Sequence, residues 1–215
     1  MIGAMLRVLV IALVLLVGVM FATNNLLRPP PYPESASYFE TPLELPEFAL
    51  ADTMGRPFSL DALRGQFSLM FFGFTNCPDI CPVTLAALAS AHSELEQNAG
   101  EPPAVIFVSV DPNRDTPERI TRYLESFDSG FIGVTGAQGE LQPLLSALGV
   151  SVMIIEHPDQ PTYSVTHNGT IYIIGPDAEL IATLSGSPAP ATIVTDFTRI
   201  KNLYRRRPPA AAPAS

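Results

Sequence analysis

The sequence predicts an α/β fold, a mixed central sheet with helices on its faces, preceded by an N-terminal transmembrane anchor. Three observations predict it. Apolar runs of strand length alternate with stretches of helical period through most of the body, a cluster of strand-like runs follows late in the chain, and an unbroken apolar segment opens it. A length of 215 residues suits one globular domain with appendages.

Residues 8–22, VLVIALVLLVGVMFA, carry no charge, and with the apolar residues around Arg7 they approach the roughly 20 residues that a spanning helix needs. Residues 1–27 are therefore read as an anchor or uncleaved signal. The stretch before Thr23 lacks the small-residue pattern of a cleavage site. Arg7 and the amino terminus precede the apolar run, and the positive-inside tendency then puts the start in the cytoplasm. That makes a single-pass protein of the inner (cytoplasmic) membrane with its soluble domain facing the periplasm. Residues 28–46 hold six prolines and read as an extended tether without a core.

The domain itself is expected over 47–204. FSLMFFGF (67–74) is a buried-strand run, and a helix follows from Pro82 to about Gly100. AVIFVSV (104–110) is a second apolar strand. Thr116 in cap position and Pro117 at the first helical position open a helix that runs to Phe127. FIGVTG (131–136), a helix near Leu141–Leu148, SVMII (151–155), YSVTH (163–167), TIYIIG (170–175) and ELIATLSG (179–186) supply the remaining elements before a closing helix at Ala191–Tyr204. Asn168-Gly169 between two of these strands predicts a tight hairpin turn. Residues 205–215, three arginines followed mostly by Pro and Ala, read as a disordered tail.

Charge narrows the function. Residues 34–198 contain all 21 acidic residues and only five arginines, a net charge of −16. Such a body cannot neutralise a phosphate backbone, so no nucleic-acid partner is expected. The acidity serves solubility or attracts cations and basic partners.

The two cysteines lie four apart in Cys77-Pro78-Asp79-Ile80-Cys81-Pro82. Outside the cytoplasm such a pair is a disulfide, a redox couple or a metal site. Pro78 and Pro82 bias the residues before them away from helical backbone, which puts both sulfurs on a loop at the mouth of a helix beginning near residue 82. The loop follows the carboxyl end of a buried strand, where α/β sheets bind ligands and a helix N-terminus favours thiolate. A stabilising disulfide closing so short a loop removes little chain entropy. A thiolate pair suits copper(I) or zinc, and one imidazole added to it gives a site that also holds copper(II).

Three histidines could supply that imidazole. His92 lies 11 residues beyond Cys81 on the same helix, roughly 16 Å away at 1.5 Å per residue, too far to share a metal. His157 sits in a polar turn and reads as solvated. His167 ends a strand, which can hold it rigidly, although the residues alone leave open whether it faces the cysteines.

Three blocks in order complete the pattern. Phe72-Gly73-Phe74-Thr75-Asn76-Cys77-Pro78-Asp79-Ile80-Cys81-Pro82, then Val108-Ser109-Val110-Asp111-Pro112-Asn113-Arg114-Asp115-Thr116-Pro117, then Val165-Thr166-His167 with Ile171-Tyr172-Ile173-Ile174-Gly175-Pro176-Asp177 resemble the SCO/SenC family over about residues 45–200. The resemblance implies a thioredoxin-like fold and a membrane-tethered copper metallochaperone that helps build the binuclear copper centre of cytochrome c oxidase. It implies Cys77, Cys81 and His167 as copper ligands, the copper-bearing oxidase subunit as partner, and a separate protein as copper donor. Asn76 departs from the histidine often found before the first cysteine, and Asn168 from the small hydroxyl residue expected after the ligand histidine. Asp79 between the cysteines is an outer ligand contact or a loop cap, and Asp111 a part of the motif or a strand-to-helix turn.

A rival reading makes the chain an enzyme. A periplasmic thiol-disulfide reductase, acting on the copper-ligand cysteines of the oxidase, would use Cys77 and Cys81 catalytically and would not need His167. Peroxide reduction or redox sensing by a low-pKa cysteine is a third.

Overall fold

A computed structural model describes residues 2–27, 30–99, 102–156 and 163–207. In chain order the elements are α1 (Ile2–Leu27), β1 (Ser37–Glu44), β2 (Leu50–Asp52), β3 (Pro57–Phe58), α2 (Leu60–Leu63), β4 (Ser68–Gly73), α3 (Ile80–Ala99), β5 (Ala104–Ser109), α4 (Pro117–Glu125), β6 (Ile132–Thr135), α5 (Gln138–Ala147), β7 (Val152–Glu156), β8 (Tyr163–His167), β9 (Ile171–Ile174), β10 (Glu179–Leu184) and α6 (Pro190–Arg206). α1 belongs to a unit ending at Pro31, and the residues from Tyr32 onward form a second.

The apolar runs of β4 and β5 become the two parallel central strands because residues buried on both faces need cover on both. All six residues of β4 are buried, Phe71 and Phe72 completely, and each such side chain contributes about 1.5–3 kcal/mol of burial. The eight-stranded sheet runs β1-β10-β9-β4-β5-β6-β2-β3. β4, β5 and β6 are parallel and the other pairs antiparallel, so the sheet is mixed. The helices of the second unit flank it, with α3 packed on α6 and α4 along β6.

α4 starts as its sequence predicts: Thr116 Oγ1 accepts the Arg119 N–H at 3.3 Å, and Pro117 occupies a position whose missing N–H is not needed.

Four expectations are corrected. The tether is shorter than 28–46, because β1 forms within it and pairs with β10. Pro42 is accommodated on this edge strand where its register shifts between Tyr38 and Leu43. The backbone before β1 is held as well: the N–H groups of Glu34, Ser35 and Ala36 all donate to the carboxylate of Asp196, which is fully buried in α6. β2, β3 and α2, between residues 50 and 63, carry too little periodicity to be seen in sequence.

The Asn168-Gly169 hairpin does not form. Neither residue adopts the positive φ that the favoured turn requires, and β8 instead pairs with β7 in a separate two-stranded ribbon, while β9 pairs with β10 and β4.

α3 begins at Ile80, so Cys81 lies in its first turn rather than on the loop. Pro82 then stands at the third helical position, where its missing N–H is still one of those left unbonded at a helix start. Val83 N–H donates to Asp79 O at 3.4 Å as the first helical bond.

Residues 205–207 are not part of a tail. Arg205 and Arg206 complete α6, and Arg207 pairs with Asp177 and Glu179; residues 208–215 lie outside the described residues, as do His157 and Gly100.

The N-terminal apolar run forms the 26-residue helix α1. Several of its side chains lie outside the described set, and among the described residues no helix is long and apolar enough to cross a membrane.

Candidate metal centre

The site grows from the end of β4. Gly73 closes that strand, and a β-carbon there would lie 2.7 Å from the Phe107 ring and 3.1 Å from Cys81 Sγ. Glycine lets the first turn of α3 settle against the sheet. Cys81 is consequently buried, whereas Cys77, on the loop before it, is half-buried. Both are free thiols, and Cys77 Sγ accepts the Cys81 N–H at 3.4 Å.

His167 arrives from the far end of the ribbon. Cys81 Sγ and His167 Nε2 are 3.2 Å apart, and one donor atom from each of Cys77, Cys81 and His167 lies within 4.8 Å of the others. The imidazole is clamped edge-to-face by Phe71 and Phe74, with ring centroids 6.1 and 5.7 Å away. Its Nδ1 lies 3.0 Å from the carbonyl oxygen of Asn168. That contact assigns the proton to Nδ1 and leaves the Nε2 lone pair facing the sulfurs. At Gly169 a β-carbon would come within 2.3 Å of Ile80 Cδ1, so the chain leaving β8 is pressed onto the start of α3.

Burial sets the electrostatics. It lowers the His167 pKa below its ordinary value, keeping the ring neutral, with the Asn168 carbonyl opposing weakly. It raises the Cys81 thiol well above its usual range, and the neighbouring Cys77 adds to the rise. A cation between the sulfurs offsets the cost of ionising Cys81, while the neutral imidazole is already in its metal-binding form. A trigonal site with metal–sulfur bonds near 2.3 Å spaces its donors by about 4 Å, so this donor set fits a soft metal with little movement.

The frame around the ligands was less visible in sequence. Buried Asp115 accepts Thr75 N–H at 2.9 Å, Thr75 Oγ1–H at 2.6 Å and Ser109 Oγ–H at 2.7 Å, tying the cysteine loop to β5. Buried Asp111 serves both roles considered for it. Its carbonyl caps the turn into α4, accepting the N–H groups of Arg114 and Asp115, and its carboxylate accepts Tyr163 O–H and Arg114 Nε–H. Arg114 also donates to the Tyr163 carbonyl, with its guanidinium 3.9 Å from that ring's centroid, and so moors the other end of β8. Asp115 lies in a motif block of the sequence, but nothing in the spacing tells that it points back to Thr75.

The remaining candidates fall away from the centre. His92 lies 3.4 Å from Asp128 and meets Phe131 edge-to-face. Asp79 is exposed. Beside His167 a cleft of about 430 Å³, lined by Gln138, Gln142, Met153 and Asn168 among others, opens the imidazole to an approaching molecule.

This fold and site have known counterparts. A family model described as SCO1/SenC matches residues 38–202. The chain belongs to the SCO1/SenC family. A SCO2-like protein of Rickettsia prowazekii is 32% identical over 170 residues, which cover 78% of this chain and 82% of that protein. The mitochondrial SCO1 homolog 1 of Arabidopsis thaliana is 34% identical over 62% of this chain, which spans only 40% of that relative's length. Yeast Sco1, solved with copper bound, superposes on this SCO1/SenC chain with a TM-score of 0.70 at 29% identity, over 79% of this chain and 92% of that one. BsSco, described as having a disulfide switch and as a member of the Sco family of cytochrome c oxidase assembly proteins, gives 0.59 at 25% identity, over 75% and 95%.

Proposed function

We propose that this chain is a membrane-tethered copper metallochaperone that delivers copper to, or helps assemble, the binuclear copper centre of cytochrome c oxidase. The observation that carries this reading is the convergence of Cys77, Cys81 and His167 within 4.8 Å from two elements far apart in sequence. Two thiolates and one imidazole make a soft, low-coordinate donor set. Yeast Sco1 with copper bound supports the choice of metal, and the description of BsSco supports an oxidase as recipient.

In this reading the reduced dithiol takes up copper, which displaces the thiol proton of Cys81, and His167 Nε2 completes the site. Copper then leaves by ligand exchange toward the copper-bearing oxidase subunit, and another protein supplies the next ion. α1, with its uninterrupted apolar run, holds the domain to the inner membrane on the periplasmic side.

A second reading is favoured by the unequal burial of the two free thiols. Half-exposed Cys77 can attack a partner's disulfide, and buried Cys81 can resolve the mixed disulfide, as in a thiol-disulfide reductase acting on the oxidase's cysteines.

Copper titration of the reduced protein, wild type against His167→Ala, separates them by absorption and electron paramagnetic resonance. The chaperone reading expects one copper per chain with sulfur-to-metal charge transfer, and loss of the copper(II) signal in the variant. Weak copper binding in both, with ready exchange against a substrate disulfide, would establish the reductase instead.

A further inference from the structure

Asn76 precedes Cys77 on the loop between β4 and α3, and its side chain turns toward α4. Asn76 Oδ1 accepts a hydrogen bond from Arg119 Nη2, while Arg119 Nε donates to Thr75 Oγ1 at 2.7 Å. One guanidinium on the first turn of α4 thus grips two successive loop side chains. Behind it Asp115 holds the backbone of Thr75. Arg119 carries that hold one residue farther, to the last position before the sulfur.

Cys77 packs partly against the core, but few hydrogen bonds fix it. Its N–H reaches Phe74 O at 3.2 Å, its sulfur accepts the Cys81 N–H at 3.4 Å, and Pro78 after it has no N–H to offer. Where the Cys77 sulfur lies therefore depends in good part on what is fixed just before it. We infer that Arg119 is a positioning residue for Cys77: its planar fork, holding Thr75 and Asn76 together, sets the place of the first sulfur relative to Cys81 and His167. A point-charge ammonium cannot make the same two-pronged grip. The inference rests on the copper-site reading of Cys77, Cys81 and His167, and goes beyond it in giving Asn76 a partner and a purpose.

The test compares the full-length protein with Arg119→Lys, Arg119→Gln, Asn76→Ala and the double variant Arg119→Gln/Asn76→Ala. Two quantities are read, with thermal unfolding as the control for fold. One is the copper(II) absorption spectrum and the rate of copper release to a chelator. The other, in metal-free protein, is the dithiol–disulfide equilibrium against glutathione, in which each Cys77–Cys81 disulfide formed reduces one glutathione disulfide to two thiols.

Arg119→Lys and Arg119→Gln should both release copper about tenfold faster than wild type, with an altered charge-transfer band. Both should shift the disulfide equilibrium in the same direction, and the double variant should behave like Arg119→Gln alone. The Arg119 side chain is 43% exposed, but its Nε also lies 4.0 Å from a carboxylate oxygen of fully buried Asp115. Arg119→Gln should therefore melt lower than wild type and Arg119→Lys, which keeps the charge, close to it; release rates are compared well below every melting point. Full rescue by lysine, strictly additive effects, or wild-type values in every variant would each overturn the inference. If the wild type takes up no copper, the metal reading fails by itself; the disulfide equilibrium still decides the inference, which an unchanged value in Arg119→Gln overturns.

Discussion

Cys81 Sγ lies 3.2 Å from His167 Nε2, although the two residues are 86 positions apart. With the His167 proton on Nδ1, the imidazole nitrogen accepts and the thiol donates, so the pair is neutral before metal arrives. The raised pKa of Cys81 means that metal uptake must expel its proton. Apparent copper(I) affinity of the reduced protein should therefore rise with pH, by at least about tenfold per unit between pH 6 and 8. Competition against a chelator of known pH dependence measures it, and a flat profile would contradict the assignment.

The lowered pKa of His167 has an opposite signature in the metal-free fold. Below its ordinary value of about 6.5 the unfolded chain binds a proton that the folded chain resists. This contribution to stability is absent above that pH and becomes an increasing penalty as pH falls toward the folded pKa. Urea unfolding from pH 7 to 5 should show wild type losing more stability than His167→Gln.

Gly73 has no β-carbon because Phe107 and Cys81 occupy the space. Gly73→Ala should cost about 1–3 kcal/mol, since the rigid Phe107 ring cannot step aside as a flexible chain end would. Denaturant unfolding reads the loss. The same variant should perturb the copper charge-transfer band, because the other near contact is the Cys81 sulfur.

Asn168 orients the imidazole through its backbone carbonyl, while its side chain donates to the Tyr172 hydroxyl at 3.1 Å. Asn168→Ala should accordingly leave copper affinity within about twofold, as expected when the partner that sets the tautomer is kept. A tenfold loss in the chelator competition would mean that the side chain matters to the site.

Asp196 accepts three backbone N–H groups from Glu34, Ser35 and Ala36 in a fully buried setting. Asp196→Ala should destabilise the domain by about 3 kcal/mol, since it strands donors that had a charged partner. Limited proteolysis should then cut within residues 32–46, where the wild type resists.

The parts legible in sequence are those whose signal is local. Phe71 and Phe72 sit in a run that can only be a covered strand, Thr116-Pro117 announces a helix start within two residues, and the Cys77–Cys81 spacing carries its own chemistry. His167 was placed by the resemblance, since nothing near it shows that β8 turns toward α3. The failures share one cause, which is distance. Pro42 argues against a strand until β10 is seen beside it, Asn168-Gly169 argues for a turn until β7 takes β8 as its partner, and nothing around Arg119 points to the loop 43 residues earlier that it holds.

The clamp between Asp196 and the backbone at Glu34 spans 162 residues, and β1 pairs with β10 over a similar distance. An elongating chain therefore makes its opening strand long before it makes the groups that hold it. That strand stays an unpaired edge until β10 has been synthesised, and the backbone before it stays unheld until Asp196 follows in the second turn of α6, so the opening of the domain is fixed only once its end exists.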